Sequence, residues 1–340
     1  MTQRKMLKKF VTELSDNETV DTYFLLVKNV RKLTKNDKPY LELTFQDKTG
    51  KIEGRLWDDA DVYYGKCETG DVVRVKGIIQ SYKESRQVKV DMLEKSAPGS
   101  FSREEVVRVA PNREETGKKL AGYLKSFTNT WIRCLAEAFT DDAVFMERFK
   151  DGIGAKSWHN AYVGGLLEHT YEVMYMVDKM CDLYPELSRD IAIFGAFIHD
   201  IGKIRELDEK RMEYTLEGGL IGHVAIGYVI LSEKISRVKD FPEDLRLRLC
   251  HIILSHHGEY EQQAPVLPKT LEATVVYQAD DLVSQASAVR EILVSQKGSD
   301  REWSDYVSIK SRKYFVREPL REDAKDKGTG NIVNGKDLFG

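Results

Sequence analysis

The sequence has no apolar run approaching the roughly 20 residues a helix needs to cross a bilayer, so no membrane span is expected. Its opening stretch, MTQRKMLKKFVTELSDNE, carries positive charge with no apolar segment behind it, and no secretory signal is expected. Cysteine is scarce. Cys67, Cys134, Cys181 and Cys250 are widely separated and form no CxxC pair. That excludes a zinc ribbon or a disulfide scaffold and predicts reduced thiols in a cytoplasmic protein. Neither sign of charge dominates: 52 Lys+Arg stand against 55 Asp+Glu, a formal net charge of −3. A wholly basic nucleic-acid coat is thereby excluded, although a local basic face is not. Histidine is missing from the whole front portion; all seven lie from His159 onward.

What is present suits folded structure. Hydrophobic residues make up 41% and charged residues 31%, enough for real cores and too many for a disordered polymer. A chain of 340 residues is expected to form two domains. Through Lys95 there are 19 Lys+Arg against 16 Asp+Glu, and thereafter 33 against 39. The front is mildly basic, the remainder acidic and histidine-bearing.

Residues 1–95 read as short strands. Leu41, Leu43 and Phe45 alternate with Tyr40, Glu42 and Thr44, and Ile52, Gly54 and Leu56 alternate with Lys51, Glu53 and Arg55. Adding Thr22 to Val30, Val72 to Ile79 and Gln87 to Met92 gives five strands, with a short helix near Asp58 to Tyr64. Five strands with a helix between the third and fourth predict a small all-β barrel of the OB type. Residues 96–116 are rich in Pro, Gly, Ser and mixed charge and read as a linker with a short helical turn. Helical periodicity governs 117–318, predicting an all-α domain, and 319–340 read as a frayed polar tail. Trp303, Tyr306, Tyr314 and Phe315 suit packing on the helical domain or on a neighbouring copy, so a homo-oligomer stays open.

Within the helical part, ionisable residues fall on apolar stripes. His169 shares a face with Leu166, Val173 and Val177; His199 and Asp200 end the apolar run Ile191 to Ile198, for which Ser188 is the expected N-cap. His223 opens a stripe through Ile226 and Ile230, His256 and His257 follow Leu249, Cys250 and Ile253, and Asp280 falls with Ala273, Val276 and Val283. Asp281 falls on a more polar face. His251, about 140° round the helix from His256, faces elsewhere, and His159 suits a cap. A carboxylate aimed into a packed interior costs several kcal/mol unless it is paired or holds a metal. Asp200 and Asp280 have few cations to pair with, so a divalent ion is the economical partner. Mixed imidazole and carboxylate ligands suit Mn²⁺, Fe²⁺, Co²⁺ or Zn²⁺ better than an all-oxygen calcium site.

His169, then His199-Asp200 within FIHDIGK, then Asp280 resembles the H…HD…D signature of the HD superfamily of metal-dependent phosphohydrolases. With YVGGLLEHT (162–170), GGLIGH (218–223), LSHHGEYE (254–261) and a barrel in front, residues 15–315 resemble the YhaM-type 3′-to-5′ exoribonucleases. The resemblance implies that His169, His199, Asp200 and Asp280 hold a first ion, manganese above the alternatives. It also implies that His223, His256 and His257 hold a second, with Asp200 bridging. Asp200 is then central to catalysis, and Lys203 contacts phosphate. The chain departs from the family at Gln262-Gln263-Ala264, where Gly-Ser-Pro is usual, and at Tyr277 and Val283, where a histidine and an aspartate are usual.

On an OB barrel the outward face of the second and third strands is the usual single-strand platform. Here it carries Tyr40, Arg55 and Trp57, with Lys38 and Lys51 at the margins and Lys76 on the next strand. Aromatics stack on bases and cations track phosphates. The reading is a 3′-to-5′ exoribonuclease of single-stranded RNA, with single-stranded DNA an additional substrate, releasing nucleoside 5′-monophosphates. Two alternatives stay open: a phosphohydrolase of small or cyclic nucleotides, and a non-catalytic single-strand-binding factor associated with replication.

Overall fold

A computed structural model of the chain describes residues 8–82, 85–97, 99–156, 160–296, 301–307 and 310–317. Strands β1 (Thr19–Leu33), β2 (Pro39–Asp47), β3 (Gly50–Leu56), β4 (Val72–Tyr82) and β5 (Ser85–Lys95) close a barrel in the order β1-β2-β3-β5-β4. Neighbours pair antiparallel except β3 with β5. Helix α1 (Ala60–Tyr64) lies between β3 and β4, as the OB-type reading requires. The period-two pattern works as expected: Leu41, Leu43, Phe45, Ile52 and Leu56 face a core shared with Phe24, Val73, Val88 and Leu93.

The floor of the barrel holds a buried ion pair between Lys8 and Asp47. Asp47 accepts from Lys8 Nζ at 3.0 Å, Val11 N at 2.8 Å and Thr49 N at 2.8 Å. Lys8 also donates to the Tyr23 carbonyl and lies over the Phe24 ring, 3.9 Å from its centroid. Side-chain exposure of this pair is 4% and 0%. Burial pushes the Lys8 pKa down despite the nearby Asp47 charge.

The helical part comprises α2 (Arg103–Val106), α3 (Arg113–Lys125), α4 (Thr130–Thr140), α5 (Ala143–Asp151), α6 (Gly165–Leu183), α7 (Arg189–Ile198), α8 (Lys203–Glu206), α9 (Leu216–Ile221), α10 (His223–Ile235), α11 (Glu243–Ser255) and α12 (Leu271–Ser295). A two-stranded hairpin, β6 (Leu207–Asp208) with β7 (Glu213–Tyr214), interrupts the helices. Helix α7 is central: Ala192 to Ile198 are buried throughout and pack with Phe139, Phe149, Val173 and Ile252. Ser188 occupies its N-cap position but makes no side-chain cap bond. Asp190 instead accepts from Thr128 N and Asn129 N, at 2.8 and 2.6 Å, tying α7 to the start of α4.

Residues 96–116, read from sequence as a linker, do more than span a gap. They contain α2 and the first turn of α3, and Val106 and Val107 are buried. With Ile153, Leu207 and Met212 these valines pack on Tyr23, Leu25 and Val72 of the barrel. This seam explains why β1 reads as a nearly continuous apolar run: its inner face lines the barrel core, while Tyr23 and Leu25 cover the second domain.

From Val289 the chain forms a separate unit. In it Trp303 pairs with Phe315 edge-on, ring centres 5.5 Å apart. The expected cap His159 and the expected tail 319–340 lie outside the described residues.

Replacing Asp47 with Ala strands the Lys8 ammonium in the barrel floor. Urea unfolding is expected to show a loss of about 3–5 kcal/mol, the cost of breaking one side of a buried ion pair.

Candidate metal centre and strand face

The second half of the chain folds so that five helices bring ligand-type side chains to one carboxylate. His169 comes from α6, His199 caps α7, and Asp200 follows directly. His223 opens α10, His256 and His257 follow α11, and Asp280 lies on α12. Gly202 allows the approach, since a Cβ there would lie 1.9 Å from the His223 carbonyl oxygen. Any side chain would push the turn carrying Asp200 and Lys203 away from α10.

Two sets of ligand-type atoms result: His169, His199 and Asp280 form one, and His223, His256 and His257 the other. In the first, His169 Nε2 lies 3.2 Å from His199 Nε2 and 3.1 Å from Asp280 Oδ1. In the second, His223 Nε2 lies 3.2 Å from His257 Nε2. Asp200 faces both with different oxygens. Its Oδ2 is 3.5 Å from His169 Nε2 and 3.4 Å from His199 Nε2, while its Oδ1 is 3.5 Å from His223 Nε2 and 3.6 Å from His256 Nε2.

The tautomers test whether these atoms fit a cation. His199 Nδ1 is 2.7 Å from the Ala196 carbonyl, and His256 Nδ1 is 2.7 Å from the Ile253 carbonyl. A carbonyl only accepts, so each Nδ1 donates there and Nε2 is the nitrogen each ring turns inward. His223 Nδ1 faces Glu206 Oε1 at 2.9 Å, and Glu206 also accepts from the His223 backbone N–H. Imidazole Nε2 atoms and carboxylate oxygens thus converge, an arrangement that favours positive charge among them. The buried His256 Nε2 has no hydrogen-bond partner. This donor set fits a divalent ion of the imidazole-plus-carboxylate class.

Burial penalises ionised Asp200, yet Lys203 and His199 outweigh it and hold the carboxyl well below the usual range. Burial likewise opposes ionisation of Asp280, and His169 and His199 overcome it. Burial disfavours the His199 imidazolium, but Asp200 and Asp280 raise its pKa above the ordinary value. Burial dominates at His256 and His257; the latter, also near two other imidazoles, is pushed down to about 3. Lys203 donates to Asp200 Oδ2 at 2.6 Å at the mouth of the site.

The other ionisable candidates lie apart from this cluster. His251 accepts from Lys269 N at 2.9 Å, and Asp281 accepts from Gln285. Glu206, which sequence reasoning missed, orients His223; its position six residues beyond Asp200 in HDIGKIRE was the available signal. Of the departures from the family pattern, Val283 packs in the core and Tyr277 covers Gly258, whose absent side chain makes room for the ring.

On the barrel, Tyr40 and Trp57 stack with centres 4.7 Å apart, and Trp57 remains 45% exposed. The expected cations divide. Arg55 lies 3.5 Å from Glu42 and 2.9 Å from Glu53, and Lys76 lies 3.4 Å from Asp21. Lys28 and Lys32 hold the Glu42 carboxyl down to about 2. Lys38 and Lys51 make no ion pair among the described residues. Partial desolvation and the like charge of Lys156 lower the Lys51 pKa. Lys51 and the Tyr40–Trp57 pair stand at opposite ends of the β2–β3 ladder.

Comparisons with known proteins agree with this geometry. A family model described as an HD domain matches residues 166–284, and one described as an OB-fold nucleic acid binding domain matches 26–95. The 3′-5′ exoribonuclease YhaM of Listeria monocytogenes serotype 4b (strain CLIP80459) is 30% identical over 297 residues, covering 86% of this chain and 93% of that protein. The chain belongs to the YhaM-type 3′-5′ exoribonuclease family. The protein of that name from Geobacillus sp. (strain WCH70) is 30% identical over 318 residues, covering 91% of this chain and 95% of its own length. That from Bacillus velezensis (strain DSM 23117) is 30% identical over 268 residues, covering 78% and 84%. The two matched family models fall on the barrel and on the helices that supply Asp200 and the histidines. Among the described residues no helix is long and apolar enough to cross a membrane.

Replacing Glu206 with Ala removes the acceptor that orients His223. Calorimetric titration with Mn²⁺ is expected to show one binding step weakened about 10- to 100-fold, the usual effect of losing such a partner. The step assigned to His169, His199 and Asp280 should stay intact.

Proposed function

We propose that this chain is a metal-dependent 3′-5′ exonuclease that hydrolyses the terminal phosphodiester of a single strand and releases nucleoside 5′-monophosphates. The observation that carries the reading is Asp200, one carboxylate whose two oxygens face two separate histidine sets. In this reading His169, His199, Asp200 and Asp280 hold one divalent ion, and His223, His256, His257 and Asp200 hold a second, manganese before iron, cobalt or zinc. When bound, such ions lower the pKa of water from about 15.7 towards neutrality and stabilise charge building on phosphate.

The chain's own groups do the rest. Hydrogen bonds to Ala196, Ile253 and Glu206 lock three imidazoles with Nε2 inward, so no reorientation is needed at the moment of reaction. The Lys203 ammonium, kept protonated by Asp200, faces the phosphate oxygens. The bond broken is that between phosphorus and the 3′ oxygen of the penultimate nucleotide, which leaves a new 3′-hydroxyl for the next round. The barrel supplies the strand: bases stack on Tyr40 and Trp57, while Lys38 and Lys51 contact phosphates at either end of the β2–β3 face. Arg55 and Lys76, already neutralised by carboxylates, contribute less. Stacking and phosphate contact do not read the 2′-hydroxyl, so DNA single strands are substrates as well as RNA. The unpaired thiols of Cys67, Cys134, Cys181 and Cys250 fit a reducing, cytoplasmic setting.

Digestion of end-labelled RNA and DNA with Mn²⁺ is expected to yield mononucleotides from the 3′ end, with none in chelator. Asp200→Ala should abolish release while strand binding persists; retained hydrolysis in that variant would sink the assignment. Trp57→Ala should weaken binding of a long single strand by about 1–3 kcal/mol in fluorescence anisotropy, with the circular dichroism spectrum unchanged. Because the raised His199 pKa belongs to the metal-free site, the ion must displace a proton there. Apparent Mn²⁺ affinity should therefore fall as pH drops through neutrality, by up to about tenfold per unit, and plateau above the His199 pKa.

A further inference from the structure

Beside the second histidine set lies a cleft of about 400 Å³, within the size range of small-molecule sites. Its lining is of two chemical kinds. Lys203, His223 and His257, with the Glu206 carboxylate among them, make one side polar, whereas Tyr214 and Ile221 offer apolar surface. Both of these are open to solvent, at 50% and 54% exposure. A nucleotide has the same duality, an anionic phosphate joined to a flat, weakly polar base.

Tyr214 is the aromatic residue in that lining, histidines aside, and its place is fixed. It pairs with Leu207 in the β6–β7 hairpin, and Leu207 is buried in the seam against the barrel. The next residue, Thr215, donates its N–H to the Glu206 carbonyl at 2.9 Å and its hydroxyl to the Arg205 carbonyl at 2.7 Å. Glu206 is the residue that orients His223. The ring therefore rides on a support tied directly to the metal-site framework. Lys156 Nζ lies 5.4 Å from the ring centre and 2.5 Å from Glu213.

We propose that Tyr214 is the stacking platform for the base of the 3′-terminal nucleotide. This deepens the exonuclease reading and rests on it. An aromatic face accepts every base, so the subsite is sequence-tolerant, and a terminal base still paired in a duplex must unpair before it can enter.

Two measurements on the full chain in Mn²⁺ buffer test this. In calorimetry, wild type is expected to bind adenosine 5′-monophosphate about 5- to 100-fold more tightly than ribose 5-phosphate. Tyr214→Ala should erase that preference and Tyr214→Phe should keep it. In RNA digestion, Tyr214→Ala should lower kcat/KM about 5- to 100-fold on an ordinary 3′ end. On an oligomer whose last residue is abasic it should match wild type. A Tyr214→Ala protein that still prefers the nucleotide over the sugar phosphate, or that digests both ends as wild type does, overturns the subsite. The exonuclease reading fails by a different result: Tyr214-dependent nucleotide binding with no release of mononucleotides from any oligomer.

Discussion

Everything in the helical domain depends on where one buried carboxylate points. Asp200 follows the end of the most deeply buried helix, and its two oxygens diverge toward imidazoles delivered by separate helices. Such a group is costly unless positive charge surrounds it. Lys203 supplies part of that charge, and the inward Nε2 atoms define where further charge fits. The apolar helices provide rigidity, and the carbonyls of Ala196 and Ile253 set the tautomers. Stability and chemistry meet here, because a framework stiff enough to hold these imidazoles and carboxylates together is also preorganised for a cation.

The second constraint is the seam between barrel and helices. Tyr23, Leu25 and Val72 face outward from the barrel yet are buried, because Val106, Val107, Ile153, Leu207 and Met212 cover them. The short hairpin that carries Tyr214 is rooted in this seam. Barrel and helical domain are thus joined through one buried apolar seam.

Much of this was legible in the residues. Alternation in β2 and β3 reflects a barrel with one wet and one dry face, and the apolar stripes carrying His169, His223 and Asp280 reflect helices packed on one side. The spacing of His199-Asp200 between apolar flanks likewise marked a buried site. Less legible was the fate of the barrel's cations. Arg55 and Lys76 look free in sequence, but Glu42 and Asp21 sit across from them on neighbouring strands. Pairing of that kind depends on strand register, which a linear pattern does not carry. Glu206 and Tyr214 were overlooked for a related reason: each matters through a neighbour distant in sequence.

Sequence by itself determined the barrel strands and their order, the helical character of the second part apart from the β6–β7 hairpin, and the inventory of ligand-type side chains, since these follow from local periodicity and residue chemistry. Tertiary structure alone decided that Asp200 faces two histidine sets, that Val106 and Val107 within 96–116 are packed, and which of the described lysines form ion pairs. Those outcomes are set by contacts between segments tens to hundreds of residues apart, where the close approach at Gly202 and the burial of one seam fix distances that no local pattern encodes.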